Sequence, residues 1–539
     1  KNSSLDPALY AFQNPQDSTR TKVWWFHGET ETTREGITAD LNAFKKAGVG
    51  GVVYYDQSHG KALNASKAFS ASWWEMLKFA AAETKRLGLT FELHLSNGYV
   101  AGGPWITNQT SMKRLTAVET FVKGGRRFYG KLPEPQNKYN FYKDVAVLAF
   151  PAQKGAGKTS YTEDVKITSD NDNIDIKKLF DPASVAPVKI LRNDSGVYIN
   201  LQFSEDFEAR SITYKMQPRG KATSSATNVP ASPSKTFTGT GYRVLPDFGE
   251  LEVSQDGVNY QRVCSLKPIY KAHESWRQKT ISFNAVKARF YRLYLHDWWE
   301  ESEKNQELLL NSIVLNSVAK LDQYEEKAGL FSEYIEADKT PQYKDEETIS
   351  SAKILNITDK MDKNGILNWD MPKGNWVIMR FAYEPTGAST KHGRENLIGR
   401  ECDKLSAEAA TIHWNHYVAV IADSLHTSNS GHLSGIAMDS HEAGTQNWTE
   451  NFITEFKNRR GYDPTVYLPS MMGYVVDGVK ESDGFLFDVR RNIADMISDN
   501  YYGTFNTLAQ KRNLIFTAQA IGNALCIVGD PIQAKSKVE

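Results

Sequence analysis

Three short apolar runs separated by two amphipathic helices occupy the first hundred residues. That alternation narrows the fold more than any other feature of the chain. KVWWF (Lys22–Phe26), GVVYY (Gly51–Tyr55) and LTFELHL (Leu89–Leu95) read as strands. Between the first two, TREGITADLNAFKKAG carries Ile37, Leu41 and Phe44 on one helical face. Thr32 and Glu35 are spaced there as a capping box, and Gly48 is placed as the stop. The second helix opens at SWWE, where Ser72 and Glu75 repeat the box, and it closes at Gly88. Strands joined through helices at this spacing run parallel with right-handed crossovers. A (β/α)8 barrel and an open doubly wound sheet both meet that condition. No GxGxxG follows the first strand, which counts against a dinucleotide-binding version of the open sheet.

From about Phe121 the pattern changes to alternating strands separated by Gly, Asn, Asp, Pro and Ser turns. DVAVLAF, VYINLQF, ARSITYKM, GELEVS, ARFYRLYL and NSIVLNSV are the clearest of these, and together they predict a β-sandwich. GNWVIMRFAYEPTG then returns to a buried strand, and helical patterns resume in LSAEAATIHWNHYVAVIADSL and TENFITEFKNRRGYDP. A long helix is expected over roughly Phe485 to Gln510, followed by a last strand in LIFTAQAIG. The fold expected is α/β, a (β/α)8-type barrel interrupted by an inserted β-sandwich. The first barrel part covers 1–125, the insert 126–345 and the second barrel part 346–539. About six strand candidates stand where a closed barrel needs eight, so the barrel is expected to continue in a missing C-terminal portion of the same protein.

Charge limits the partners. Sixty-four Lys+Arg balance 64 Asp+Glu, and without a basic excess neither nucleic acid nor an acidic membrane surface is the expected partner. No apolar run approaches the roughly 18 residues of a membrane span. The three cysteines, Cys264, Cys402 and Cys526, have neither a disulfide nor a metal-type spacing. Aromatics reach 12%, which suits a protein that handles the flat faces of sugar rings, although large cores use aromatics too.

In parallel α/β folds, functional groups collect where strands end. His27 and Glu29 follow the first strand here, and Asp56 and His59 the second. His94, Asn97 and then Trp105 follow the third. Asp439, His441 and Glu442 follow the apolar run GIAM, and Gln519 lies in the last strand. Any one of these has a bland explanation as a turn or cap residue, and Trp24 and Trp25 read as core. Five polar strand ends together describe a pocket lined with carboxylates, imidazoles and aromatics. Glycoside hydrolysis needs such a pocket, with one protonated carboxyl for the leaving oxygen and a second acting on water or on the anomeric carbon. Asp439 and Glu442, three apart, are a candidate pair. The competing reading has Asp439 capping the next segment and Glu442 exposed.

The blocks MDSHEAGTQNWTENFITEFKNRRGYDPTVYLPSMMGYVV and FLFDVRRNIADMISDNYYGTF closely resemble glycoside hydrolase family 106, the α-L-rhamnosidases. VWWFHGETETTREGITADLNAFKKAGVGGVVYYD, GGPWIT and ECDKLSAEA resemble further blocks of that family, in the same order. The insert resembles the galactose-binding-like sandwich that such enzymes carry. The resemblance implies a periplasmic or extracellular bacterial barrel enzyme that removes terminal α-L-rhamnose from plant polysaccharide with inversion, with calcium near the site. It puts Glu442 on the general acid. It also puts His27, Asp56, Trp105, Asp403 and Asp439 on positions that shape the sugar pocket. His94, Asn97, His441 and Gln519 join that set from their strand ends. Gln519 stands where the family often has Glu, and a Gln can hold a hydroxyl but cannot act as a base. The second catalytic carboxylate is implied to lie beyond residue 539. A family member that binds glycan without cleaving it, and a barrel glycosidase for another sugar, are the alternatives.

Overall fold

A computed structural model describes residues 7–13, 15, 19–58, 65–135, 139–181, 186–191, 193–216, 247–269, 278–298, 307–330, 340–428, 433–439, 444–520 and 528–539. The chain divides into two compact units. One comprises 1–113, 385–443 and 493–539, and the other 114–384 and 444–492. The expected insert, 126–345, falls inside the second unit, which reaches further along the chain on both sides.

The first unit is built on a parallel sheet in the order β1 (Lys22–His27), β2 (Gly51–Asp56), β3 (Thr90–His94), β4 (Leu433–Met438) and β5 (Ile515–Ala518). Helix α1 (Arg34–Lys46) connects β1 to β2, and α2 (Ala71–Leu87) connects β2 to β3. Among the described residues the sheet holds five strands and does not close on itself. The strand predicted at GNWVIMRFAYEP forms, but it belongs elsewhere. Asn375–Pro385 pairs antiparallel with Lys143–Pro151 in a separate four-stranded sheet. Burial along nearly its whole length made it read like a parallel-sheet strand.

Helix starts differ slightly from their predicted caps. Thr33, not Thr32, caps α1, its hydroxyl accepting from Gly36 N at 3.1 Å. Ser70 rather than Ser72 caps α2, and Glu75 instead pairs with Arg34 at 2.9 Å. Gly88 ends α2 in the left-handed conformation, as its position predicts. The segment read as one helix after ECDKLS is two, α3 (Ala407–His416) and α4 (Val418–Thr427), with Ser406 capping the first. The long helix expected to Gln510 forms from Val479, with a π-helical stretch over Ile497–Gly503.

Strand alternation gives the parallel sheet two chemically different faces. Register aligns Trp25 with Tyr54, His27 with Asp56, and Tyr54 with Leu93. That face carries the helices, since Trp25 Nε1 donates to Asp40 of α1 and Trp73 of α2 donates to Asp56. The opposite face presents Trp24, Val53, Glu92, Gly435 and Ile515 in one row, and Phe26 beside Tyr55 in the next. Trp24, expected in the core, is 44% exposed, and Phe26 on the same face is 50% exposed. Glu92, buried on this face, is neutralised by Lys22.

The second unit is mainly antiparallel. Val197–Met216 and Gln278–Leu295 pair over most of their length, with Gly249–Ser254 and Glu307–Asn316 flanking them. Their inward residues, among them Ile199, Leu201, Leu251, Tyr291 and Leu293, form a hydrophobic core. The polar stretch PRGKATSSATNVPASPSKTFTGTG lies outside the described residues. Among the described cysteines, Cys264 and Cys402 are free thiols.

Candidate active site

On the helix-bearing face, Asp56 at the end of β2 is fully buried and its carboxylate is shared among three donors. Arg394 Nε reaches Oδ1 at 2.6 Å, while Trp73 Nε1 and Asn97 Nδ2 reach Oδ2 at 3.0 and 2.7 Å. Asn97 also accepts from Arg394 N at 2.5 Å, and the Arg394 guanidinium donates to Ser66 O. Burial pushes the Asp56 carboxyl up, and Arg394, Trp73 and Asn97 pull it back down. This cluster ties β2, the turn after β3 and the 394 loop together. Trp73 and Arg394 were not predicted as members; a Trp on a helix reads as core, and an Arg in a polar loop carries no local signal of burial.

His27 ends β1 on the same face, stacked on Tyr54 at 4.3 Å and 15° and set edge-on to Trp25. Burial first, and Arg394 second, push its imidazole down to about 3, so it is neutral at any ordinary pH. Strand parity thus turns His27 and Asp56 toward the helices. Asp56, with no exposed surface, acts as a structural hub for the loops and has little capacity left for a sugar hydroxyl.

The opposite face brings together residues from three strands. His94, at the end of β3, is buried, and burial pushes it down to about 4. Its Nδ1 donates to Ser96 O at 2.8 Å, so Nε2 keeps a lone pair and accepts the backbone N–H of Asp439 at 3.1 Å. Tyr55 lies flat on the His94 ring at 3.9 Å and 17°. Its hydroxyl donates to Asp439 Oδ2 at 2.8 Å. Asp439 itself is only half-buried. Tyr55 was not predicted as a site residue. The signal was available, since Tyr55 precedes Asp56 and alternation must turn one of the two to each face.

Two further blocks meet through a short antiparallel pairing of Gly102–Gly103 with Arg400–Glu401. Asp403 is fully buried there against Lys113, Nζ to Oδ2 2.8 Å, and its Oδ1 accepts from Leu405 N at 2.9 Å. Glu401 pairs with Lys404, both wholly buried, and burial raises its carboxyl while Lys404 opposes that. Asp403, expected to shape a sugar pocket, is therefore consumed in a buried ion pair. Trp105 is half-buried, stacked against His416 at 5.7 Å and 13°. Its Nε1 is buried without a hydrogen-bond partner among the described residues. His413 bridges the segments, with Nε2 donating to Leu95 O at 3.0 Å and Nδ1 accepting from Gly102 N at 3.0 Å.

Gln519 is exposed, just past β5, and its N–H donates to Met438 O at 3.0 Å. Glu442, His441 and His59 lie outside the described residues. Among the described residues no group of three or more His, Cys, Asp or Glu side chains is arranged to hold a metal. Asp56, Asp403 and Glu401 are committed to Arg394, Lys113 and Lys404 and do not fit a calcium shell of oxygen ligands.

With this geometry in view, comparison with known proteins decides the family. The glycoside hydrolase family 106 model, described as alpha-L-rhamnosidase, matches residues 13–539. The chain belongs to that family. A solved rhamnosidase from Novosphingobium sp. PP1Y is similar over 99% of this chain and 49% of its own, at a TM-score of 0.81 and 26% identity. A putative beta-glucuronidase of Formosa agariphila is 25% identical over 509 residues, which are 94% of this chain and 30% of that protein. The family 106 chain thus spans about half the length of the one relative and under a third of the other.

Proposed function

We propose that this family 106 chain forms part of an exo-acting glycoside hydrolase that releases terminal α-L-rhamnose from a plant glycan with inversion. The observation that carries this reading is the Tyr55–His94–Asp439 group. It sits at the carboxyl end of a parallel sheet, on the face away from the helices, and holds a half-buried carboxylate by both its backbone and its side chain. Glu442, three residues on in DSHEAG, is assigned the general acid, protonating the glycosidic oxygen as the bond to the anomeric carbon breaks. A base about 6.5–9.5 Å away would activate water on the opposite face of the sugar. Asp439, Trp105, His441 and Gln519 are proposed to border the sugar, while Asn97, Asp56 and Asp403 hold the loops around it. Action outside the cytoplasm, in the periplasm or beyond, follows from a polymeric plant substrate.

The test is Glu442→Gln in the full-length protein, assayed on an aryl α-L-rhamnoside. A fall in kcat of about 10²- to 10⁴-fold is expected for loss of a general acid. Near-normal turnover would remove Glu442 from that role, and a first product with retained configuration would remove inversion. A second reading, a glycosidase for a uronic acid, draws on the name of the Formosa agariphila relative. Turnover of an aryl β-glucuronide in place of the rhamnoside would favour it.

A further inference from the structure

We infer that Tyr55 is a positioning residue for the sugar site, one that acts through Asp439. This rests on the reading of the strand ends as a glycosidase site and names a residue that the reading does not require. Tyr55 has no exposed surface, so Phe would fill the same space and bury the same ring. What the hydroxyl adds is a bond to Asp439 Oδ2 at 2.8 Å. The ring reaches Asp439 because β3 lies between β2 and β4, and the tyrosine lies flat across His94, the last residue of that middle strand. His94 in turn grips the Asp439 backbone N–H at 3.1 Å.

Asp439 is therefore held at two points, its main chain and one carboxylate oxygen, which fixes the side chain's direction as well as its place. The Tyr55 hydroxyl occupies an acceptor position on Oδ2 and so sets how the carboxylate is turned. A half-buried, oriented carboxylate at the mouth of a parallel sheet is built to receive sugar hydroxyls. Displacement of such a group by about 1 Å can cost on the order of 10²-fold in rate. The hydroxyl of Tyr55 opposes that displacement at Oδ2.

The experiment is a double-mutant cycle on the full-length protein with Tyr55→Phe, Asp439→Asn and the pair, assayed on a panel of aryl glycosides that includes the α-L-rhamnoside. Y55F is expected to melt within a few degrees of wild type and to lose about 10- to 100-fold in kcat/KM. D439N should lose at least as much, and the double variant no more than D439N alone, because both changes break the same arrangement. A rhamnoside lacking the hydroxyl that Asp439 binds should be a poor substrate for wild type and cost Y55F little further. Y55F within twofold of wild type overturns the inference, as does a double variant whose loss is the product of the single losses. D439N within twofold overturns it whatever Y55F does. Wild-type protein that turns over nothing in the panel removes the glycosidase reading and this inference together, whereas normal wild-type turnover with an unaffected Y55F removes only the inference.

Discussion

Charge burial at single residues separates what is structural here from what is free to act. Arg394 is 5% exposed and its partner Asp56 wholly buried, so neither can fall back on water if the other is lost. Arg394→Met should cost about 3–5 kcal/mol in urea unfolding, the usual penalty for stranding one charge of a buried pair. Arg34 and Glu75, each 53% exposed, make a bond of similar length, yet Arg34→Ala should cost no more than about 1 kcal/mol. Thr33→Ala should lose about 1 kcal/mol as the α1 cap, while Thr32→Ala stays within about 0.5 kcal/mol. Equal losses in the two would mean that the cap has been misplaced. Sequence reading found the polar residues at the strand ends but could not sort them. Asp56 and Asp439 look alike in the chain, and only burial by Arg394, Trp73 and Asn97 makes the first a structural hub.

At the level of elements, hydrophobic alternation was legible wherever strand and helix succeed each other locally. β1, β2, β3, β4 and β5 stand where the sequence predicted them, with the helices between the first three. The strand at Asn375–Pro385 was legible as a strand and illegible as to its sheet, because partner choice depends on segments more than 200 residues away. Close strand approach makes a test at Gly51, where an added Cβ would lie 2.8 Å from the Thr90 carbonyl oxygen. Backbone cannot yield as a flexible side chain does, so Gly51→Ala should destabilise by about 1–3 kcal/mol through overpacking. Gly461, at φ +83° with nothing within 4 Å, should respond to Ala through backbone strain alone, roughly 1 kcal/mol. If thermal melts rank the two the other way, the β2–β3 register is wrong.

For the molecule as a whole, the first unit carries a built-in acid sensitivity. Burial holds His27 at about 3 and His94 and His413 at about 4, against 6.5 in an unfolded chain. Between those values the unfolded state binds the protons and the folded state does not, so stability rises with pH in that window. It is lost as pH falls from 6.5 toward 4, at about 1.4 kcal/mol per proton per pH unit, or roughly 4 kcal/mol per unit for three groups near pH 5. Urea midpoints measured at pH 7, 6 and 5 should fall steeply, and a flat profile would show that the imidazoles are not buried as described. Composition and period-two or period-3.6 patterning, both local, sufficed to predict the α/β class, the parallel crossovers and most helix stops, while the family blocks were legible only through resemblance. Which side of the sheet each strand-end group faces, which carboxylates are consumed by Arg394, Lys113 and Lys404, and that Tyr55 reaches Asp439 across His94 were decided by tertiary structure. Those outcomes depend on contacts between segments up to 384 residues apart, and nothing in a local stretch of chain encodes which distant partner will arrive.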